Sequence, residues 1–156
     1  MTEKSLITEE MRAAIGKPLD SGEPFPVEKG SIRNLAEAMN YLSPLYLDEA
    51  YAKSKGHSTV VAPPMFPNYD LRLDAPFKIL KLPFEVAAGL HGSDDWEFIR
   101  DAYAGDVLTP KGKLLNLVEK DGTRGKMLFV TSEITYTNQR GEAVAIYRPT
   151  DIIIAK

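Results

Sequence analysis

The chain has 156 residues, 44% of them hydrophobic and 26% charged, enough for one domain that buries about two-thirds of its unfolded surface. Its net charge of −3 gives no electrostatic reason to expect nucleic acid, and no apolar run approaches the length of about 20 residues that spans a bilayer. The absence of cysteine excludes disulfides and thiolate chemistry, and the two histidines, His57 and His91, lack the compact spacing of a zinc site.

Residues 1–10 carry charges where a signal peptide would be apolar, so the expectation is a cytoplasmic protein with no membrane partner. A short helix follows over residues 8–15, capped by Thr8, with Glu9 and Glu10 in its first turn and Gly16 to end it. Lys17 to Gly30 holds three prolines and reads as extended and irregular. Ser31 is then predicted to cap the main helix, whose apolar stripe is Ile32, Leu35, Ala36, Met39 and Leu42. Pro44 redirects it, and a second helix begins near Asp48 and Glu49 and stops at Gly56. From Ser58 to Pro83 prolines are frequent, and the segment reads as a surface excursion with little regular structure.

Beyond Gly92 the pattern turns to β. Trp96 and Phe98 alternate with Glu97 and are predicted to open a strand that runs towards Gly105 and Asp106. Lys113 to Lys120 and Lys126 to Thr137 form the next two strands, joined by a five-residue loop from Asp121 to Gly125. Asn138 to Gly141 turns the chain back, Glu142 to Arg148 returns, and Asp151 to Ala155 is extended. Helices early and antiparallel strands late define an α+β class, with a sheet that can curl around one apolar helix. No G-x-G-x-x-G or phosphate loop occurs, so a nucleotide-bearing ligand would have to be held by other means.

The segment from Ile32 to Asp48, with Tyr41-Leu-Ser-Pro-Leu-Tyr46 at its centre, resembles the helix and following loop of MaoC-like dehydratases. Gly56 to Phe66, Trp96-Glu-Phe98, Gly105-Asp106 and Tyr136 to Val144 extend that resemblance over nearly the whole chain, closest to the N-terminal half of two-domain members. It implies a single hot-dog domain over residues 1–156, an antiparallel sheet wrapped around a central helix. Family members hydrate enoyl thioesters or dehydrate 3-hydroxyacyl thioesters, with acyl-CoA as substrate and no cofactor or metal.

In the catalytic form, Asp and His in Asp-x-Asn-Pro-(Leu/Ile)-His bracket a water, and a glycine N–H of a later segment stabilises the thioester oxygen as it becomes enolate-like. Here the aspartate position is Tyr41, the histidine position is Tyr46, and the glycine position is Pro64. An ordinary tyrosine titrates near pH 10, so about one in a thousand is a phenolate at pH 7. Proline has no N–H to donate, and losing one such donor typically costs about two to three decades of rate.

The resemblance therefore implies no catalytic residue by the family's chemistry. It places Tyr41, Tyr46, Val61, Ala62, Pro63, Met65 and Phe66 on the substrate side as candidate acyl-thioester contacts. Lys78, Lys81, Lys111, Lys113, Arg124 and Lys126 could meet the CoA phosphates. Hot-dog domains pair edge to edge, so the expected partner is a catalytic MaoC-like subunit in a hetero-oligomer, or a second copy in a homodimer. Three readings stay open: a non-catalytic subunit, a self-sufficient homodimeric hydratase or thioesterase using His57, His91, Asp48 or Tyr46, and an acyl-CoA-binding module without chemistry.

Overall fold

A computed structural model describes residues 5–19, 22–68, 80–123 and 125–156. Four short helices, α1 (Glu9–Ala13), α2 (Lys29–Ala38), α3 (Pro44–Leu47) and α4 (Glu49–Ser54), precede the long strands. The strands are β1 (Pro18–Leu19), β2 (Phe25–Pro26), β3 (Val86–Phe98), β4 (Val107–Gly122), β5 (Gly125–Thr137) and β6 (Ala143–Ala155), with a 3₁₀ turn at Phe66–Asn68. All pairings are antiparallel, in the order β1-β4-β5-β6-β3 with β2 also on β4, which is the α+β class expected. No helix among the described residues is long and apolar enough to cross a membrane.

Period-two alternation sets the sheet's two faces. In β5, Leu128, Val130, Ser132, Ile134 and Tyr136 are buried while the residues between them are half-exposed. One half of this covered face packs against α2 and the segment 60–66, around Ile32, Val60, Phe66, Leu108 and Ile134. The other half packs against the N-terminal segment and Leu80, around Met11, Leu114, Leu128 and Ile153. Within the second half, a bulge at Leu115 lets Leu114 and Leu117 of β4 bury on the same side.

The main helix differs from the expectation at both ends. It starts at Lys29, with Glu28 as an N-cap that makes no side-chain bond, so Ser31 lies inside it. The cause is tertiary: Val27 N–H donates to the Asp106 carbonyl and the Val27 carbonyl accepts from Gly105 N–H, both at 2.8 Å, which fixes where the chain turns into the helix. It ends at Ala38 in a Schellman motif. Asn40 takes φ 54°, Tyr41 N–H donates to the Ala36 carbonyl at 2.7 Å, and Asn40 N–H to that of Glu37 at 3.1 Å. Met39 and Leu42, assigned to the apolar stripe, lie past this stop and are exposed.

The strand predicted to open at Trp96 in fact closes at Phe98, having begun at Val86, and residues 99–106 form the turn into β4. The β4–β5 hairpin is tighter than expected, with pairing as far as Gly122↔Gly125. Residues 143–155 make one strand through Pro149, and pairing with β5 lapses between Thr131↔Thr150 and Ile134↔Tyr147 and shifts register between Tyr136 and Thr137.

Candidate functional site

The Schellman stop delivers Tyr41 to the surface, 46% exposed, and Ser43 caps α3, which carries Tyr46 half-buried. Three stretches then meet. Val61 N–H donates to the Leu45 carbonyl (3.0 Å), Ala62 N–H to that of Ala102 (2.8 Å), and Ala104 N–H to that of Val60 (3.2 Å). The backbone of residues 60–62 is thus held between α3 and the turn preceding β4, while Val61, Ala62, Pro63 and Phe66 are buried, Met65 is half-buried and Pro64 is exposed.

Two cavities open here. Ala62, Pro63 and Pro64 line one of about 180 Å³, shared with Phe98, Arg100 and Asp101. Tyr46 lines another, of about 220 Å³, with Lys29, Arg33, Glu49 and Val60. Of the candidate contacts, Ala62 and Pro63 thus line the first hollow and Tyr46 the second, while Tyr41, Val61, Met65 and Phe66 line neither. Arg100, Asp101 and Tyr103 were not singled out from the sequence. The signal available was the turn composition of Asp101-Ala-Tyr-Ala-Gly105, which does not fit the strand assigned there.

The electrostatics disfavour base chemistry at Tyr46. Burial pushes the Tyr46 phenol above its ordinary value, and Asp101 and Tyr41 push the same way. A phenol held neutral can donate a hydrogen bond but is a poorer proton acceptor. Tyr103 is likewise raised, by burial first and then by Asp101 and Asp106, and its hydroxyl bonds His57 Nδ1 at 3.1 Å.

The other polar groups named from the sequence have structural partners. Asp48 caps α4, accepting from Tyr51 N–H at 3.0 Å. Asp106 is buried and accepts from Tyr103 N–H at 2.9 Å and from Gln139 Nε2 at 3.0 Å. His91 has Nε2 2.9 Å from Asp94 Oδ1 and Nδ1 3.4 Å from Asp151 Oδ1, so neither nitrogen is available to a substrate. The Asp94 hydrogen bond leads in raising its pKa. Tyr147 also bonds Asp94, at 2.5 Å.

Of the six cations considered for phosphate contacts, Lys113 pairs with Glu133 (2.8 Å), Lys126 with Glu119 (3.0 Å) and Lys81 with Glu10 (3.9 Å). Lys111 lines a groove beside β1, while Lys78 and Arg124 lie outside the described residues. Among the described residues no group of three or more carboxylates and imidazoles converges as a metal site requires.

An early helix laid on a long antiparallel sheet, with a proline-rich segment crossing beside it, defines a hot-dog domain of the MaoC-like dehydratase class. Residues 13–147 match the model of the FAS1-like dehydratase domain region, and the chain belongs to that family. It is 31% identical to a UPF0336 protein of Thermobifida fusca, over 81% of this chain and 83% of that protein. It is 32% identical to a protein of Thermomonospora curvata named probable enoyl-CoA hydratase alpha subunit, covering 88% of this chain but 49% of that longer relative. Among solved structures, a chain of the ChsH1–ChsH2 complex from Mycobacterium tuberculosis superimposes with TM-score 0.72 at 21% identity, covering 89% of each chain. The HadBC (3R)-hydroxyacyl-ACP dehydratase complex of the same organism gives 0.73 at 22%, covering 89% of this chain and 96% of the matched one.

Proposed function

We propose that this chain is a non-catalytic subunit of a (3R)-type enoyl-CoA hydratase or 3-hydroxyacyl-thioester dehydratase, completing the acyl-thioester tunnel of a catalytic hot-dog partner. The observation that carries the reading is the state of the dyad positions. One tyrosine is exposed at the helix stop, the other is half-buried with its phenol pushed above its ordinary value, and Pro64 offers no N–H at the oxyanion position. Two of the similar solved structures are complexes, and the relative from Thermomonospora curvata is named as a subunit, which supports a heteromeric role. The cavity beside Pro63 and Pro64 supplies the apolar wall, with Ala62, Phe98 and Val144, for part of the acyl group.

The test follows loss of enoyl-thioester absorbance with a medium-chain trans-2-enoyl-CoA. The purified chain alone is expected to give no turnover, and adding a dyad-bearing hot-dog protein is expected to give turnover above that protein's own. Robust hydration by the chain alone at neutral pH would overturn the reading and turn attention to His57 and Tyr103. Binding of acyl-CoA with no gain in the mixture would favour a module without chemistry.

A further inference from the structure

We infer that the groove beside β1 binds a small molecule made of one carboxylate and a short apolar body, anchored by Lys111 and Thr135. The groove has a volume of about 480 Å³, inside the range of about 300–1,000 Å³ found for small-molecule sites. It shares no lining residue with the hollows beside Pro63 and Tyr46, so the inference goes beyond the subunit reading and does not depend on it. Register explains where it forms. β1 joins β4 only at Lys113 and Gly112, and β2 only at Leu108 and Val107, so neither short strand is paired with residues 109–111. Alternation along β4 turns Lys111 and Lys113 away from the buried Pro110, Gly112 and Leu114. On that outer face Thr135 stands across from Lys111, and Glu133 across from Lys113.

The charges lining the groove do not cancel. Glu133 is its one carboxylate, and both oxygens are occupied: Oε1 by Lys113 Nζ and Oε2 by Arg148 Nε, each at 2.8 Å. The Lys113 bond leads in lowering the Glu133 pKa, so this carboxylate stays ionised and engaged at neutral pH. Among the described residues Lys111 is thereby left without an ion pair, and the Thr135 hydroxyl without a hydrogen bond. An ammonium and a hydroxyl on directly opposed residues can each take one oxygen of the same carboxylate, and such charge-assisted bonds are the stronger kind. Lys111 and Lys113 against Glu133 leave a single positive charge in the lining, which a carboxylate balances and a phosphate dianion exceeds. Pro18, Leu19 and Pro110 give the apolar body its wall. Gly16 and Gly22 leave the mouth open, since a Cβ at either would meet nothing within 4 Å.

Octanoate is the probe, titrated into the isotope-labelled chain at neutral pH while amide chemical shifts locate it. Saturable shifts are expected at Lys111, Gly112 and Thr135. Lys111→Gln, at an exposed position that the fold does not depend on, should weaken binding at least about fivefold. Thr135→Val should weaken it by a smaller factor. Octanol, which keeps the body and lacks the charge, should bind at least about fivefold more weakly than octanoate. Inorganic phosphate should not saturate the groove. Ala62 and Ala145 line the hollow beside Pro63 and report that site separately. Saturation there with none at Lys111 to Thr135 would overturn the inference and leave the subunit reading standing. Octanol or phosphate binding in the groove as tightly as octanoate would overturn it too, as would a folded Lys111→Gln that binds octanoate like the wild type.

Discussion

Pro64 stands where the resembling catalytic segment has a glycine, and no rotamer or protonation state gives it an N–H. Tyr46 is a subtler case, because a phenol can in principle exchange a proton. Its burial and the neighbouring Asp101 move it away from doing so at neutral pH. In an active mixture with a catalytic partner, Tyr46→Phe should therefore leave kcat within experimental error. Removal of a working general base costs about two to four decades, so a fall of that size would make Tyr46 a participant in the reaction. Residue chemistry of this kind was legible in the sequence, since identity alone fixes that proline lacks a donor and that tyrosine titrates high. What identity could not supply was company. Asp101, Tyr103 and Arg100 reach Tyr46, His57 and Pro64 only because the backbones of residues 60–62 and 102–104 pair.

At the scale of elements, the sequence succeeded where signals are local and failed where tertiary contacts decide. Thr8, Asp48 and Gly56 start or stop their helices as predicted. Ser31 does not, because the bonds of Val27 to Gly105 and Asp106 set the start of α2 three residues earlier than a cap residue alone indicates. β3 was misplaced because its first half, Val86 to Leu90, is exposed on an edge and shows no alternation. The contact that ties this edge to β6 beside the bulge is titratable. His91 faces Asp94 on its own strand and Asp151 on β6, and Tyr147 lies on Asp94 with a phenol that burial keeps neutral. His91 is raised, so its contribution is complete below the ordinary histidine value and is lost as pH rises through its folded value. Asp151 is raised by burial, so its ionisation also works against the fold as pH rises. Amides of β3 near His91 should accordingly exchange faster at pH 8 than at pH 6, after correction for intrinsic rates, and His91→Asn should flatten that dependence. Equal protection at both values in the wild type would show that the imidazole does not hold the edge.

For the whole molecule, the α+β order was visible as helices early and strands late, yet the division of the covered face into two packing clusters was not. That division depends on the N-terminal segment returning to the sheet, where Glu119 accepts from Leu6 N–H at 2.6 Å and from the Ser5 hydroxyl at 2.8 Å. Neither cluster is a separate folding unit, because β4, β5 and β6 contribute to both: Leu108 and Leu114, Ile134 and Leu128, Tyr147 and Ile153 fall on opposite sides of the division along the same strands. Breaking one cluster therefore strips cross-strand pairing from the other. Ile32→Ala in the first and Leu128→Ala in the second, both at side chains with 0% exposure, should each cost about 2–5 kcal/mol. Continuity of the strands predicts that both losses appear in one urea transition, with the same midpoint by far-ultraviolet dichroism and by Trp96 fluorescence. Trp96 packs against the first cluster, so its fluorescence is the probe that would detect independence. If Leu128→Ala shifted the dichroism transition and left the fluorescence transition in place, the two halves of the sheet would be unfolding separately, and shared strands would not be enough to couple them.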